Sequence, residues 1–192
     1  VDVVVTRAAM TSYERNSWDW ATADTTLTQG VMRAGLLIAW GTLDRFYPFF
    51  DSVGRGIDEQ LLLGLAELET VQSDDRKAYM GVLGRFMYAL YDGHGFYSDW
   101  AGDWPSVFLA LQIQQVEGEP VIRSSSEDGI NAGDTIVSID GVSAQAWYAE
   151  AMSRYSAASD GYRFVLASGE LKEVSGSREF ELRDPDGVLR TV

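Results

Sequence analysis

The 192-residue chain has no cysteine, which excludes disulfides and thiolate metal centres but does not fix the compartment. It has a single histidine, so a metal site would have to be built from carboxylates. Two acidic segments, Asp74-Asp75 and Asp184-Pro185-Asp186-Gly187, lack the ligand spacing of a calcium loop and read as a helix cap and a turn. No metal or other cofactor is expected. Basic residues are scarce: 15 Lys and Arg against 29 Asp and Glu give a net charge of −14, and Lys77 and Lys172 are the only lysines. Such a surface repels phosphate backbones and anionic lipid, so neither nucleic acid nor a membrane surface is an expected partner. No apolar run reaches the length of a membrane span, and the N-terminus lacks a basic-then-apolar signal pattern. A mature exported protein would look the same.

What the chain does have is apolar and aromatic mass. Six Trp, nine Tyr and eight Phe argue for packed cores rather than disorder. Residues Val1 to Ala23 are heterogeneous and read as an arm, docked through Trp18 and Trp20. A helical pattern follows. Met32, Leu36, Ala39, Trp40, Leu43, Phe46, Tyr47 and Phe50 trace one face, with a Thr at 25, 26 or 28 as cap and Pro48 as the stop. A second helix, roughly Asp58 to Val71, carries Leu61, Leu62, Leu65 and Leu68. A third, capped by Ser73 or Asp74, carries Tyr79, Val82, Leu83, Phe86, Met87 and Leu90. Gly81 and Gly84 suit close helix approach rather than a phosphate cradle. Three amphipathic helices with short links predict a helical bundle over residues 24–100.

The third helix leads into Tyr-Asp-Gly-His-Gly, residues 91 to 95. Asp92-Gly93 is expected to end the helix, glycine supplying a left-handed cap. His94 then lies in an open loop between two glycines. Imidazole is the side chain best suited to move protons near neutral pH. Taken alone, the pattern reads first as a solvated cap histidine and only second as a general base.

Near residues 101 to 105 the period changes from helix to strand. Val107, Leu109, Leu111 and Ile113 alternate with Phe108, Ala110, Gln112 and Gln114, and Gly118-Glu119-Pro120 turns into a second strand, Val121 to Ser124. Ala-Gly-Asp-Thr-Ile-Val-Ser-Ile-Asp-Gly, residues 132 to 141, reads as a turn, a short strand with Ile136 and Ile139 inward, and a tight turn. Helices are predicted from Ser143 to about Tyr155 and over Tyr162 to Ala167. A terminal hairpin turns at Asp184 to Gly187. The fold class is therefore α+β: a small helical bundle, then a β-rich barrel or sandwich domain with one or two helices over 104–192.

The order strand, strand, Gly-Asp-x-Ile-x-x-Ile-x-Gly, helix resembles the core of a PDZ domain. That resemblance implies capture of a peptide end as an added strand. Trp104, Pro105, Ser106, Val107 and Phe108 would form the carboxylate-binding loop, although it lacks the glycines that let amides converge. Leu109, Leu111 and Ile113 would supply the strand edge, and Trp147, Ala151 and Tyr155 the helix side.

With the PDZ-like half in place, the leucine-rich helices ending in Asp-Gly-His-Gly resemble the amino-terminal part of a C-terminal processing (tail-specific) serine peptidase. The likeness is to its tricorn-core-like branch. It places His94 on the catalytic base, with Asp92, Gly93 and Gly95 shaping its loop. Phe46, Tyr47 and Pro48 match a family motif that reads as packing. The expected partners are protein or peptide C-termini and a downstream catalytic domain. The expected setting is secreted or periplasmic, with the composition leaving a cytoplasmic one open.

No serine within the chain sits on a nucleophile elbow. Ser143 lacks the second glycine of that motif and suits a helix N-cap, and the serines at 124 to 126 suit a polar loop. Neither lysine is placed for a Ser–Lys pair. The chain is expected to be silent alone and to be a piece of a longer enzyme. Two further readings stand beside this one. One is a stand-alone PDZ-type peptide-binding module without catalysis. The other is an architectural unit with Trp18, Trp20, Trp100 and Trp104 buried between domains.

Overall fold

The computed structural model describes residues 25–99, 101–102 and 107–192. The proposed arm and Trp18, Trp20, Trp100, Trp104, Pro105 and Ser106 lie outside the described residues. Helix α1 spans Gln29–Phe46, and the Thr28 hydroxyl accepts the Val31 amide at its start. It stops where Tyr47 turns extended ahead of Pro48, as the steric demand of proline requires. A single turn, α2 (Phe50–Val53), leads into α3 (Gly56–Glu67) and α4 (Arg76–Tyr88). The cap of α4 is Asp75, whose carboxylate accepts the Ala78 amide at 3.0 Å. Asp74, expected to serve there, instead takes a left-handed conformation and accepts the Leu27 amide.

Met32, Leu36, Ile57, Leu61, Leu68, Val82 and Phe86 bury together between these helices. Trp40 ties α1 to α3 by donating its indole N–H to Asp58 at 2.8 Å. Gly64 permits the contact, since a Cβ there would meet Leu36 at 2.9 Å. Phe46 and Leu62, assigned to apolar faces by their spacing, are exposed. Each sits on the flank of its stripe, where periodicity does not separate inside from outside.

The second half is an open antiparallel sheet with strand order β2-β3-β4-β7-β8. Its members are β2 (Leu111–Val116), β3 (Glu119–Ser125), β4 (Thr135–Ile139), β7 (Phe180–Arg183) and β8 (Leu189–Thr191). A short β5 (Val142–Ser143) also pairs with β4. β1 (Val107–Phe108) pairs separately with β6 (Glu173–Val174). Among the described residues the sheet does not close on itself, so the α+β class holds without a barrel. Two helices cover it, α5 (Ala144–Met152) and α6 (Asp160–Lys172). The Ser143 hydroxyl caps α5.

The Gly-Asp-Thr-Ile segment shows why its residues occur in that order. Gly133 has φ +94°, a conformation that would strain a side chain. Asp134 is buried, takes the Asn131 amide at 2.6 Å and pairs with Arg190 on β8. Ile136 and Ile139 both face the core because a bulge between Ile136 and Ser138 shifts the strand's period. Asp140 and Gly141, both at positive φ, make the tight turn into β5.

Candidate active site at the His94 loop and a separate groove

The loop after α4 is built from its backbone outward. Tyr91, not Gly93, takes the left-handed conformation that ends the helical segment, with φ 51°. Its ring and that of Tyr88 lie against the Arg163 guanidinium, at 5.1 and 4.2 Å from ring centroid to Cζ. That cation–π contact offsets the strain of a bulky residue at positive φ. Gly93 is needed for a different reason. A Cβ there would meet the Tyr162 ring at 2.7 Å, so only glycine lets α6 approach the loop.

Three residues of the second half hold the loop in place. The buried Ser156 hydroxyl accepts the Asp92 amide at 2.8 Å. Arg163, 5% exposed, donates to the Ala157 carbonyl and to Asp160, both within 2.8 Å. Tyr97 donates to the Arg154 carbonyl, and Gly84 makes room there, since a Cβ would stand 2.7 Å from that oxygen. Arg85 reaches both Glu67 and Glu150. The histidine loop is therefore anchored on both sides.

His94 itself is 99% exposed at its side chain. Its backbone N–H donates to Asp92 Oδ1 at 3.0 Å, and its ring Nδ1 lies 3.0 Å from the same oxygen. The amide and then the ring hold the Asp92 carboxyl below its ordinary range, with burial opposing them. An ionised Asp92 favours the tautomer with the proton on Nδ1, which leaves the lone pair on Nε2. Chemically this is a positioned base with an accessible nitrogen and no nucleophile supplied by its own neighbours. Among the described residues no group of three His, Asp or Glu side chains could hold a metal ion.

A groove of about 230 Å³ lies between β2 and α6, walled by Gln112, Ile113, Arg123, Val165, Ser168 and Lys172. β2 hydrogen-bonds to β3 along one edge and, among the described residues, ends the sheet on the other. The residues expected to frame a peptide site scatter. Ile113 lines the groove, Leu109 packs on the core and Leu111 is buried within it. Val107 and Phe108 are exposed on β1.

Trp147 and Ala151 belong to α5, and Tyr155 follows it; Ala151 is sealed in the core. The helix beside β2 is α6, because α5 ends at Met152 and the chain reverses before Asp160. Tyr155 donates instead to Glu170, and burial pushes its phenol well up.

No protein-family model matches the sequence, and no curated protein matches it. Solved structures do match. Mature CPAF aligns with a TM-score of 0.65 at 17% identity, over 85% of this chain and 34% of that one. Mature CPAF complexed with lactacystin aligns with a TM-score of 0.63 at 18% identity, over 85% and 34%. The chain shares its fold with part of CPAF. It spans about a third of the length of those structures. The photosystem II D1 C-terminal processing protease aligns with a TM-score of only 0.33 at 17% identity, over 84% of this chain and 42% of that one, which carries no argument.

The supports of the histidine loop were the part that residue patterns missed. Arg163 looks like a solvated helix residue, Ser156 like loop filler and Tyr162 like a helix start. The only sequence signal for them is the paired glycine at 93, which announces a close neighbour without naming it.

Proposed function

We propose that this chain is the helical and PDZ-like portion of a serine endopeptidase of the C-terminal processing type. In this reading His94 is the general base, and a serine on a downstream domain is the nucleophile. The observation that carries it is the exposed His94 ring, fixed by Asp92 at Nδ1 and free at Nε2. The fold shared with part of CPAF supports it. His94 Nε2 would take the serine proton during attack on the scissile carbonyl and return it to the leaving amine. Asp92 would act as a positioning residue that sets the tautomer.

The test uses the intact protein extended beyond Val192. Hydrolysis of an unfolded protein substrate is expected, and His94→Ala should lower kcat/KM by roughly 10²- to 10⁴-fold. Equal activity in the variant would overturn the assignment, as would a downstream sequence with no serine domain.

The groove between β2 and α6 favours a second reading, a peptide-binding module that needs no catalysis. An extended segment would add to the open edge of β2, as PDZ-type domains do. Binding by residues 1–192 alone, without hydrolysis by the intact protein, would select it.

A further inference from the structure

Among the described residues, the amides at the head of the groove are not free to receive a terminal carboxylate. Three successive amides at the start of β2 are already engaged: Leu109 N–H donates to the Lys172 carbonyl at 2.9 Å, and Leu111 N–H to the Leu109 carbonyl at 2.8 Å. Between them, Ala110 N–H donates to the Glu127 carboxylate at 2.6 Å. The protein thus places its own side-chain carboxylate on an amide just past the expected carboxylate-binding loop, of which only Val107 and Phe108 are among the described residues. The β1–β6 pairing, Val107 with Val174 and Phe108 with Glu173, closes the chain around that point.

The groove walls carry a different signal. Arg123 and Lys172 both line it, and neither forms an ion pair among the described residues. Among the described residues Arg45 and Lys77 share that state, in a chain with 29 acidic side chains and a net charge of −14. Most arginines elsewhere are paired, as Arg33, Arg55, Arg76, Arg85 and Arg154 are. Two cations without a direct ion pair, Lys172 also feeling the charge of the adjacent Glu173, thus stand beside one strand edge of an acidic surface.

Among the described residues the edge itself is undefended. β2 reads Leu-Gln-Ile-Gln-Gln-Val, with no charge and no proline to block another strand.

We propose that the β2–α6 groove binds an extended internal segment carrying acidic side chains, recognised by Arg123 and Lys172 and not through a free C-terminus. This rests on the peptide-groove part of the reading above and narrows its ligand. Backbone groups of the segment pair with β2, while its carboxylates meet the two cations. Nonspecific attraction does not account for such binding, since the protein as a whole repels acidic peptides.

Fluorescence anisotropy of residues 1–192 with labelled ten-residue peptides tests this. Four peptides are compared: acidic or neutral, each with a free or an amidated C-terminus. The acidic pair should bind alike whatever the terminus, about tenfold or more tighter than the neutral pair. The double variant Arg123→Gln, Lys172→Gln should lose that preference while unfolding at the same denaturant midpoint. An acidic peptide interrupted by prolines should bind poorly. If the neutral free-carboxylate peptide binds best and amidation abolishes it, the inference fails and terminus reading stands. Retention of acidic preference by the double variant, or equal binding of the proline peptide, also overturns it. Binding of no peptide at all removes both the inference and the peptide groove.

Discussion

One oxygen of Asp92 accepts twice from His94: Oδ1 stands 3.0 Å from the backbone amide and 3.0 Å from ring Nδ1. A side chain two residues back thereby orients a ring that solvent otherwise surrounds. The Asp92 backbone is itself fixed, because its amide donates to the buried Ser156 hydroxyl. Loop, tautomer and the second half of the molecule are joined through these few atoms.

Replacing Asp92 by Ala should release the tautomer. Nitrogen-15 spectra of the neutral His94 ring are expected to show its proton on Nδ1 in the native protein. The variant should show a mixture of tautomers with little change in global stability. Identical spectra would mean that the ring is not held.

Gly93→Ala should destabilise the protein by about 1–3 kcal/mol, because the new methyl meets the Tyr162 ring. Urea unfolding measures this. In a double variant with Tyr162→Ala the cost of the glycine change should largely vanish, since the two sites are in contact.

Arg163→Ala removes a guanidinium that fills the space between Tyr88, Tyr91 and the Ala157 carbonyl. A loss of about 2–3 kcal/mol is expected from the charged hydrogen bond and the ring contacts. Hydrogen exchange at the Asp92 amide should accelerate in the same variant. Arg163→Lys should recover little of either, because an ammonium cannot both lie flat on two rings and reach the carbonyl.

Acid should weaken the helical half first. The carboxyls of Asp58 and Asp92 are held below the ordinary range, chiefly by Arg55 and by the His94 amide respectively. Asp99 is also lowered: burial would raise it, but Arg76 and the Ala101 amide prevail. A folded-state value below the unfolded one contributes stability above the ordinary carboxylate pKa, near 4, that is lost as pH falls through the depressed values. Denaturant midpoints should therefore hold between about pH 7 and 5 and drop below about pH 4. Asp58→Asn should make the acid limb shallower.

Much of this architecture was legible in residue patterns, and the reasons differ by element. Asp134, Ile136, Ile139 and the Asp140-Gly141 turn belong to a motif whose backbone demands narrow the choice of residues. Ser143 and Pro48 act on their own neighbours, so local chemistry predicts them. The Asp184 to Gly187 turn is of the same kind.

What was not legible depends on placement between elements. Spacing shows that Asp160 to Lys172 is helical in part, but not that this helix, rather than α5, flanks β2. Tyr91 at positive φ defies the preference for glycine, because a distant arginine stabilises it. Glu127 on the Ala110 amide is a contact across 17 residues that no pattern announces.

The most direct measurement of the account is labelling of the intact protein, extended past Val192, with a fluorophosphonate that acylates only activated serines. One serine outside residues 1–192 should react, and His94→Gln should slow that reaction by at least about 100-fold. Labelling at the same rate in the variant, or no labelled serine at all, would contradict a catalytic role for His94.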